Sequence, residues 1–267
     1  MNWLEKSIVP DNLRDEFVFN GYVRLGKVLS VAGIDALRQR ADALMLGQIR
    51  YPGLFFQHDS ASGRYEDLAH GEGWVGPSLE YRKLEKLEKD PLFLAWIENS
   101  FFRQIVQSFI PGEIVLYRAV LFNKSAKGGS PLPWHQDGGR FWGIDPEPFV
   151  QLWTALDDCP KDGGCLEIVP QTHRGGLATP LGGVVPKNHL EAQKADQNAV
   201  CLPAEAGEVI LLHNHLWHKA GVNHSGHPRR VLSVCYMSAK TQCLRKKRAP
   251  RVFFPVFRSG GLTIEQF

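Results

Sequence analysis

Residues 149–170 read FVQLWTALDDCPKDGGCLEIVP, and this stretch decides the fold class. Two short apolar runs flank a turn signal of one Asp and two Gly at 162–164. Runs of this length, rich in β-branched and aromatic residues and bounded by Gly and Pro, are typical of strands. Runs of the same kind recur at 114–122, 209–212 and 231–237. Many short strands separated by such breaks predict an antiparallel sandwich or barrel, which we place at residues 111–240.

The chain before this region has the 3.6-residue periodicity of amphipathic helices. A first helix is predicted after Asp11 as its cap, and a second has an apolar face from Ile34 to Leu44. A third helix is predicted to begin at Pro91, with one apolar stripe that continues to Ile105. A short strand is predicted at 22–25, between the first two helices.

Residues 50–80 lack any period, and a loop of this length is usually functional or mobile. We predict either a lid over a pocket or a surface loop anchored by its Phe residues.

The whole chain is predicted to form a single domain. Its parts are a mostly helical outer layer and lid region at 1–110, the β core at 111–240, and a C-terminal extension at 241–267.

Composition excludes several classes of protein. The chain has 267 residues, 43% of them hydrophobic, which suffices for a substantial core. The formal net charge of +3 argues against nucleic acid as a partner, and we interpret the basic run at 245–251 as a solvated surface segment. The five cysteines form no C-x-x-C pair and so predict neither a disulfide framework nor a zinc ribbon. With no signal-peptide pattern and no membrane-spanning apolar stretch, we expect a cytoplasmic protein without membrane association.

His135-Gln136-Asp137 stands where a strand is expected to emerge from a loop. Alternate residues on a strand point to one face, so His135 and Asp137 should aim at the same point. One imidazole and one carboxylate are two of the three ligands of a facial iron triad, whose other positions stay open for co-substrate and dioxygen. A competing pair, His70-Gly71-Glu72, lies in a Gly-rich stretch and is interpreted as a loop feature.

The third ligand must come from the histidine-rich stretch 211–221. On a single strand His213 and His215 would share one face, while His218 would lie on the other with Ile210 and Leu212. Either His213 and His215 chelate a metal themselves, or they are structural and His218 is the ligand. Spacing alone leaves both alternatives open and favours His218 slightly.

Ordered blocks of sequence carry a resemblance to a known family. The blocks are WHQD (134–137), LWTAL (152–156), DGGCLEIVPQTH (162–173), GEVILLH (207–213), HKAGVN (218–223) and RRVLS (229–233). Together they resemble the phytanoyl-CoA dioxygenase family of 2-oxoglutarate oxygenases. The resemblance implies a mainly β fold with flanking α-helices around a double-stranded β-helix (jelly-roll, cupin-like) core. It also implies Fe(2+) as the metal, 2-oxoglutarate as co-substrate and O2 as oxidant.

The same resemblance implies roles for individual residues. His218 matches the distal histidine of the metal triad, and Arg229, eleven positions later, matches the residue that binds the far carboxylate of 2-oxoglutarate. A planar, permanently charged guanidinium suits that carboxylate. Asn123 matches a position near the co-substrate, and Trp153 matches the pocket wall. The chain departs from some family members at Ala220, where a Ser would contact the co-substrate, so that contact is not expected here.

The implied reaction is hydroxylation of an unactivated C–H bond in a small-molecule metabolite, with release of succinate and CO2. Related halogenases have a small residue at the carboxylate position, so Asp137 makes hydroxylation the expected outcome. Arg140 and Trp142 follow the metal motif and are candidate substrate contacts, against the alternative of an exposed Arg beside a packed Trp. Two other classes of function stay open: a cupin-like metal enzyme that does not use 2-oxoglutarate, and a non-catalytic β-sandwich binding module. The sequence does not indicate an oligomeric state.

Overall fold

A computed structural model describes residues 2–5, 8–71, 73–126, 128–246 and 251–258. The helices are α1 (Leu13–Asn20), α2 (Val31–Met45), α3 (Pro91–Ile97), α4 (Ser100–Phe109) and α5 (Lys187–Ala192). In the described part of the chain, no helix has both the length and the apolar character that a membrane crossing requires.

Local chemistry sets where these helices begin and end. Ser30 caps α2 by accepting the N–H of Gly33 at 3.2 Å, as expected for a side chain that satisfies a free donor at a helix start. The helix predicted from Pro91 to Ile105 is in fact two helices. Asn99 adopts an extended backbone between α3 and α4 and accepts the N–H of Phe102 at 2.9 Å, which starts the second helix. The predicted cap Asp11 was also wrong, because α1 begins after Asn12 and has no side-chain cap bond.

Antiparallel strands form the core of the fold. The longer ones are β1 (Tyr22–Lys27), β2 (Phe55–His58), β3 (Tyr81–Glu85), β4 (Ile114–Lys124), β5 (Leu132–Gln136), β7 (Val150–Ala155), β8 (Leu166–Val169), β10 (Val200–Leu202), β11 (Glu208–His213), β12 (Trp217–Ala220), β13 (Arg229–Ser238) and β15 (Phe254–Phe257). The two-residue strands are β6 (Ile144–Asp145), β9 (Gly183–Val184) and β14 (Gln242–Cys243).

Two sheets make the jelly roll. The large sheet has the order β1-β11-β7-β13-β4-β3-β2, with β15 paired to β4, and the small sheet has the order β10-β8-β12-β5-β9. Their inner faces meet in one apolar cluster that includes Trp153, Ile210 and Val231 from the large sheet and Leu166 and Ile168 from the small one. The prediction of a double-stranded β-helix (jelly-roll) core is confirmed.

The helices α1 to α4 pack on the outer face of the large sheet, whereas Leu190 of α5 packs against residues of the small sheet. Leu152, Leu211 and Leu232 alternate with the inward residues and pack in the same cluster as Trp96 and Phe102 of α3 and α4. A sheet that is buried on both faces explains why its strands read as nearly continuous apolar runs.

The segment before residue 111 is less purely helical than predicted. It supplies β1 at one edge of the large sheet and β2 and β3 at the other, of which only the strand at 22–25 was predicted. The predicted extension at 241–267 is described in part: β14 pairs with β6 and β15 pairs with β4. Residues 247–250 and 259–267 lie outside the described residues, and so does part of the basic run at 245–251.

Candidate active site

Two neighbouring strands of the small sheet bring the predicted metal ligands together. His135 on β5 and His218 on β12 are direct partners in the antiparallel register, and their ring centroids are 4.0 Å apart. Asp137 follows the last residue of β5, and its N–H donates to the carbonyl of Asn214 at 2.8 Å. One ligand atom from each of the three residues lies within 4.8 Å of the others. Among the described residues, this is the one group of three potential metal-ligating side chains that meets in this way.

The two imidazoles are fixed in the tautomer that a metal needs. Nδ1 of His135 lies 2.9 Å from the carbonyl of Pro133, and Nδ1 of His218 lies 2.8 Å from the carbonyl of Leu216. A carbonyl can only accept, so each Nδ1 carries the proton and each Nε2 keeps a free lone pair. Burial lowers the pKa of His135 to about 3, so this ring is neutral at physiological pH.

Asp137 is held as a carboxylate by its neighbours. Arg118 on β4 donates to Oδ1 at 2.8 Å, and Gln151 on β7 donates to Oδ2 at 3.2 Å. Burial alone would raise the pKa of Asp137, but the Arg118 guanidinium and the two imidazoles together hold it well below its usual range. Nε2 of His218 lies 3.9 Å from Oδ2, which leaves that oxygen facing the imidazoles. The donor set is therefore two nitrogen lone pairs and one carboxylate oxygen, which suits a divalent first-row metal with open coordination positions.

The competing histidines do not join this group. His213 ends β11 and packs among the rings of Phe17, Phe149 and His173. Its Nδ1 accepts the N–H of His215, which lies in the turn after β11. His70 packs edge-on against Phe55, and Glu72 lies outside the described residues.

The prediction reached His218 by treating His213, His215 and His218 as residues of a single strand, and this detail was wrong. His213 and His218 do not share a strand, because β11 turns at 214–216 and returns as β12 in the other sheet. His218 still faces the same cavity as Leu212, since the two sheets face each other across it.

An inner cavity lies between the two sheets, next to the three ligands. We use this name for the space lined by the triad and by a wall of polar and apolar side chains: Arg82, Arg118, Phe122, Lys124, Leu132, Gln151, Trp153, Leu212, Ala220, Arg229 and Ser233. Trp153 and Ala220 both line this cavity.

Arg229 lies in the wall of this cavity as a buried cation. It is the first residue of β13 and is 3% exposed. One guanidinium nitrogen donates to the carbonyl of Gly164, while the buried Nε finds no partner in the described part of the chain. Within the described residues, no carboxylate lies within 4 Å of it. Burial lowers its pKa, which reports the cost of keeping this charge away from water.

The turn that meets Arg229 depends on glycine. Gly164 adopts φ +68, and a Cβ there would lie 2.5 Å from the carbonyl oxygen of Gly221. A larger residue would displace either the turn or the segment after β12, so the Asp-Gly-Gly signal positions one wall of the inner cavity.

Lys124 is a second buried cation in the cavity wall. Unlike Arg229, it was not predicted from the sequence. It lies opposite Arg229 in the β4–β13 register and is 7% exposed. Its Nζ donates to the carbonyl of Ser130 at 2.8 Å. Burial and the neighbouring Arg229 lower the pKa of Lys124 to about 7. The signal available in the sequence was its position next to Asn123 at the end of an otherwise apolar strand.

Asn123, which the resemblance places near the co-substrate, uses its side-chain amide for hydrogen bonds within the fold. Its side-chain amide donates to the carbonyls of Leu79 at 2.9 Å and Tyr81 at 2.8 Å. The residue borders the inner cavity, but its amide connects β4 to the start of β3.

An outer mouth adjoins the inner cavity. It is lined by Gln57, Tyr65, Glu66, Leu68, Ala69, His70, Lys83, Phe141, Trp142, Gly183 and Val184, and it shares Arg82, Arg118, Phe122, Leu132, His135 and Asp137 with the inner cavity. Residues 57–70, from the segment predicted as a lid or surface loop, therefore form one side of this mouth.

The two predicted substrate residues separate in the structure. Trp142 is buried at the mouth, stacked on Tyr117 with centroids 4.0 Å apart, and the guanidinium of Arg118 lies 5.0 Å from its ring. Arg140 is exposed and borders neither cavity, because its turn pairs instead with the backbone of Pro180.

Comparison with known proteins matches most of the chain to a single family. The sequence model of the phytanoyl-CoA dioxygenase (PhyH) family matches residues 17–231. The chain is 24% identical over 250 residues to the peroxisomal phytanoyl-CoA dioxygenase of Mus musculus, covering 90% of this chain and 72% of that protein. It is 25% identical over 251 residues to phytanoyl-CoA dioxygenase 1 of Oryza sativa subsp. japonica, covering 85% and 88%.

Solved structures share the fold. EctD from S. alaskensis, crystallised with 2-oxoglutarate and 5-hydroxyectoine, superposes with a TM-score of 0.71 at 18% identity over 98% of this chain and 88% of that one. The epimerase SnoN, in complex with Fe3+, alpha ketoglutarate and nogalamycin RO, gives a TM-score of 0.69 at 18% identity over 90% and 87%.

Proposed function

The chain belongs to the phytanoyl-CoA dioxygenase family of iron(II)- and 2-oxoglutarate-dependent oxygenases, and from this membership we propose that it hydroxylates a C–H bond of a small-molecule metabolite. Succinate and CO2 are the products formed from 2-oxoglutarate. The protein acts without nucleic acid or a membrane as partner. It forms a single catalytic domain, with the β core carrying the metal ligands.

One observation carries the proposal: the same cavity is lined by a His-Asp-His group and by Arg229, an arginine that has no carboxylate partner among the described residues. The first is a donor set for iron(II), and the second is a receptor for an anion. A cupin-like metal enzyme without 2-oxoglutarate would need only the first. A binding module with structural histidines would need neither the free Nε2 lone pairs nor the ionised Asp137.

The residues that would hold the metal are His135 and His218 through Nε2 and Asp137 through a carboxylate oxygen. When bound, iron(II) supplies the activation of dioxygen, using electrons released by the oxidative decarboxylation of 2-oxoglutarate. Arg118 keeps Asp137 ionised and holds one of its oxygens away from the imidazoles. Arg229 would bind the far carboxylate of 2-oxoglutarate with its in-plane N–H groups, which suit a bidentate contact. The apolar walls around them exclude water from the reacting region.

Hydroxylation is the expected outcome at this site. Asp137 occupies the position where related halogenases have a small residue that leaves room for chloride, and its carboxylate is held on both oxygens by Arg118 and Gln151. The substrate would then gain one oxygen atom.

A screen for succinate release tests the proposal. Purified protein is loaded anaerobically with Fe(II) and then mixed with 2-oxoglutarate, O2 and members of a metabolite library, and product masses are recorded. We expect succinate only when Fe(II), O2 and 2-oxoglutarate are all present, with one oxygen atom added to the active compound. The variants His135→Ala and His218→Ala should bind less iron by elemental analysis and should lose turnover.

The matched control is His224→Ala, because His224 is exposed and lies outside both cavities. It should retain the iron content and turnover of the wild type. Normal turnover by the His135 and His218 variants would contradict the metal site. Turnover without 2-oxoglutarate would favour the one-substrate metal enzyme, and absence of bound metal would favour the binding module.

A further inference from the structure

Arg82 is a buried cation at the boundary between the inner cavity and the outer mouth. It lies on β3, is 9% exposed, and lines both spaces. His135 and Asp137 of the metal group border the same two spaces. Arg82 therefore lies in the wall of both spaces from which a molecule could reach the metal ligands.

The hydrogen bonds that Arg82 makes do not neutralise its charge. Its Nη1 donates to the side-chain oxygen of Gln57 at 3.2 Å, a neutral acceptor. In the described ranges of the chain, no carboxylate lies within 4 Å of the guanidinium. Burying a guanidinium without a charged partner is costly, and charged groups in protein interiors are normally paired.

Asp59 is the acidic side chain that acts on Arg82 from nearby, and it already has other donors. Its Oδ2 accepts the N–H of Ser130 at 2.9 Å, and its Oδ1 accepts the N–H of Ser60 at 3.0 Å. Burial lowers the pKa of Arg82, and the attraction of Asp59 offsets this only in part.

The cavity has more positive charge than 2-oxoglutarate can neutralise. Among its cations, Arg118 is paired with Asp137, Lys219 is paired with Glu167 and Asp196, and Arg229 is assigned to the far carboxylate of 2-oxoglutarate. Lys124 lies directly opposite Arg229 in the strand register and would face the same carboxylate. Arg82 is left over at the side from which substrate enters. Phe122 and Leu132, which also line both spaces, give this passage an apolar surface beside the cation.

We propose that Arg82 binds an anionic oxygen group, a carboxylate or phosphate, carried by the substrate. The substrate class is then a small oxyanion with an apolar body, held so that the body lies along Phe122 and Leu132 and reaches the metal ligands. A guanidinium presents parallel N–H donors that fit either oxyanion. This inference rests on the proposed function, because it assigns the substrate of that same site.

The test uses matched compounds in the succinate-release assay with Fe(II)-loaded protein. Each carboxylic acid is compared with its carboxamide, and each phosphate with its free alcohol. We expect the wild type to prefer the anionic member in kcat/KM by roughly tenfold to hundredfold, the range for a buried hydrogen bond to a charged group. Which pair shows the larger preference distinguishes a carboxylate from a phosphate.

The variant Arg82→Gln should reduce this preference at least tenfold, whereas Arg82→Lys should retain most of it. A merely structural role for Arg82 would not change the ratio between a carboxylic acid and its carboxamide, which are nearly equal in size and shape. The matched control is Arg24→Gln, because Arg24 is exposed on β1 and its surface ion pair with Glu208 is worth little. If Arg82→Gln does not fold, the preference of the wild type and of Arg82→Lys for the anionic compound still tests the proposal.

Three outcomes would overturn the inference. The compounds that stimulate succinate release could be neutral or cationic, or Arg82→Gln could leave the preference unchanged. Arg82→Gln could also weaken 2-oxoglutarate binding as strongly as Arg229→Leu, which would make Arg82 a co-substrate residue. If the wild type releases no succinate with any compound, the proposed function fails together with the inference, and this result differs from each of the other three.

Discussion

Two adjacent arginines at the start of β13 have opposite environments. Arg230 donates to both oxygens of Asp157, at 2.8 and 3.0 Å, and to Asp42 of α2 at 2.6 Å. Arg229 donates to a backbone carbonyl, and its buried Nε has no hydrogen-bond partner among the residues that the structure describes. The two side chains differ because successive residues of a strand point to opposite faces. Arg230 faces α2 and the outside of the large sheet, while Arg229 faces the inner cavity.

The difference separates a structural cation from one that is reserved for a ligand. On the outer face the fold supplies its own counter-charges, so Arg230 helps to hold α2 against the sheet. On the inner face the fold supplies cations at Arg229, Lys124 and Arg82 and no carboxylate within 4 Å of them in the described residues. A protein tolerates such an arrangement when a bound anion completes it, which is how we interpret the inner face.

The largest expected effect tests the outer face. Arg230→Leu should lower the free energy of unfolding by about 3 kcal/mol, because it leaves the buried Asp157 with Arg38 as its remaining ion-pair partner, at 2.9 Å. The measurement is urea denaturation. Adding Asp157→Asn in the Arg230→Leu background should recover part of the loss, since it removes a buried carboxylate that has lost one of its two guanidinium partners. A stability equal to that of the wild type would refute a structural role for Arg230.

A smaller effect, of a different kind, is expected on the inner face. Arg229→Leu should weaken 2-oxoglutarate binding roughly hundredfold, in the range for loss of one partner from a buried charge pair. It should not destabilise the protein, because an apolar side chain removes a buried charge that has no counter-charge. Calorimetry on Mn(II)-loaded protein without O2 gives the affinity, and urea denaturation gives the stability. If Arg230→Leu loses as much 2-oxoglutarate affinity as Arg229→Leu, the two arginines do not have the separate roles argued above.

The sequence predicted β1 and the longer core strands β4, β7, β8, β11 and β13, though not β2 or β3, and it named the three residues of the His-Asp-His group. These features depend on short-range alternation and on ordered blocks of sequence. Spacing alone could not choose between His213 and His218, because the turn at 214–216 moves the chain from one sheet to the other. The resemblance, and then the register of His135 with His218, made that choice.

Arg82, Lys124 and Arg118 were missed for a related reason. A charged residue within or beside an apolar strand is visible in the sequence, but its partner is not, since that partner comes from a distant segment. Arg118 has a carboxylate partner in Asp137, whereas Arg82 and Lys124 have none within 4 Å in the part of the chain that the structure describes. Only the packed structure distinguishes these cases. The same limit applies to Asn123, whose amide is used by the backbone of Leu79 and Tyr81.

The smallest expected effect concerns the pH dependence of stability and compares a buried lysine of the inner face with an exposed lysine. In the unfolded chain Lys124 keeps its proton up to its ordinary pKa of 10.5, whereas in the folded chain its pKa is about 7. Between these values the unfolded state binds more protons, so this group makes the free energy of unfolding rise with pH. The slope for one proton is at most about 1.4 kcal/mol per pH unit.

Lys124→Met should therefore reduce the increase in the free energy of unfolding between pH 7 and pH 9, measured by urea denaturation. This range covers roughly the lower half of the interval between the two pKa values. Lys187→Met, at a fully solvated position on α5, should keep the wild-type slope. Equal slopes for both variants would mean that Lys124 is not the buried cation that its contacts indicate, and the inner face would then lose one of its three charges.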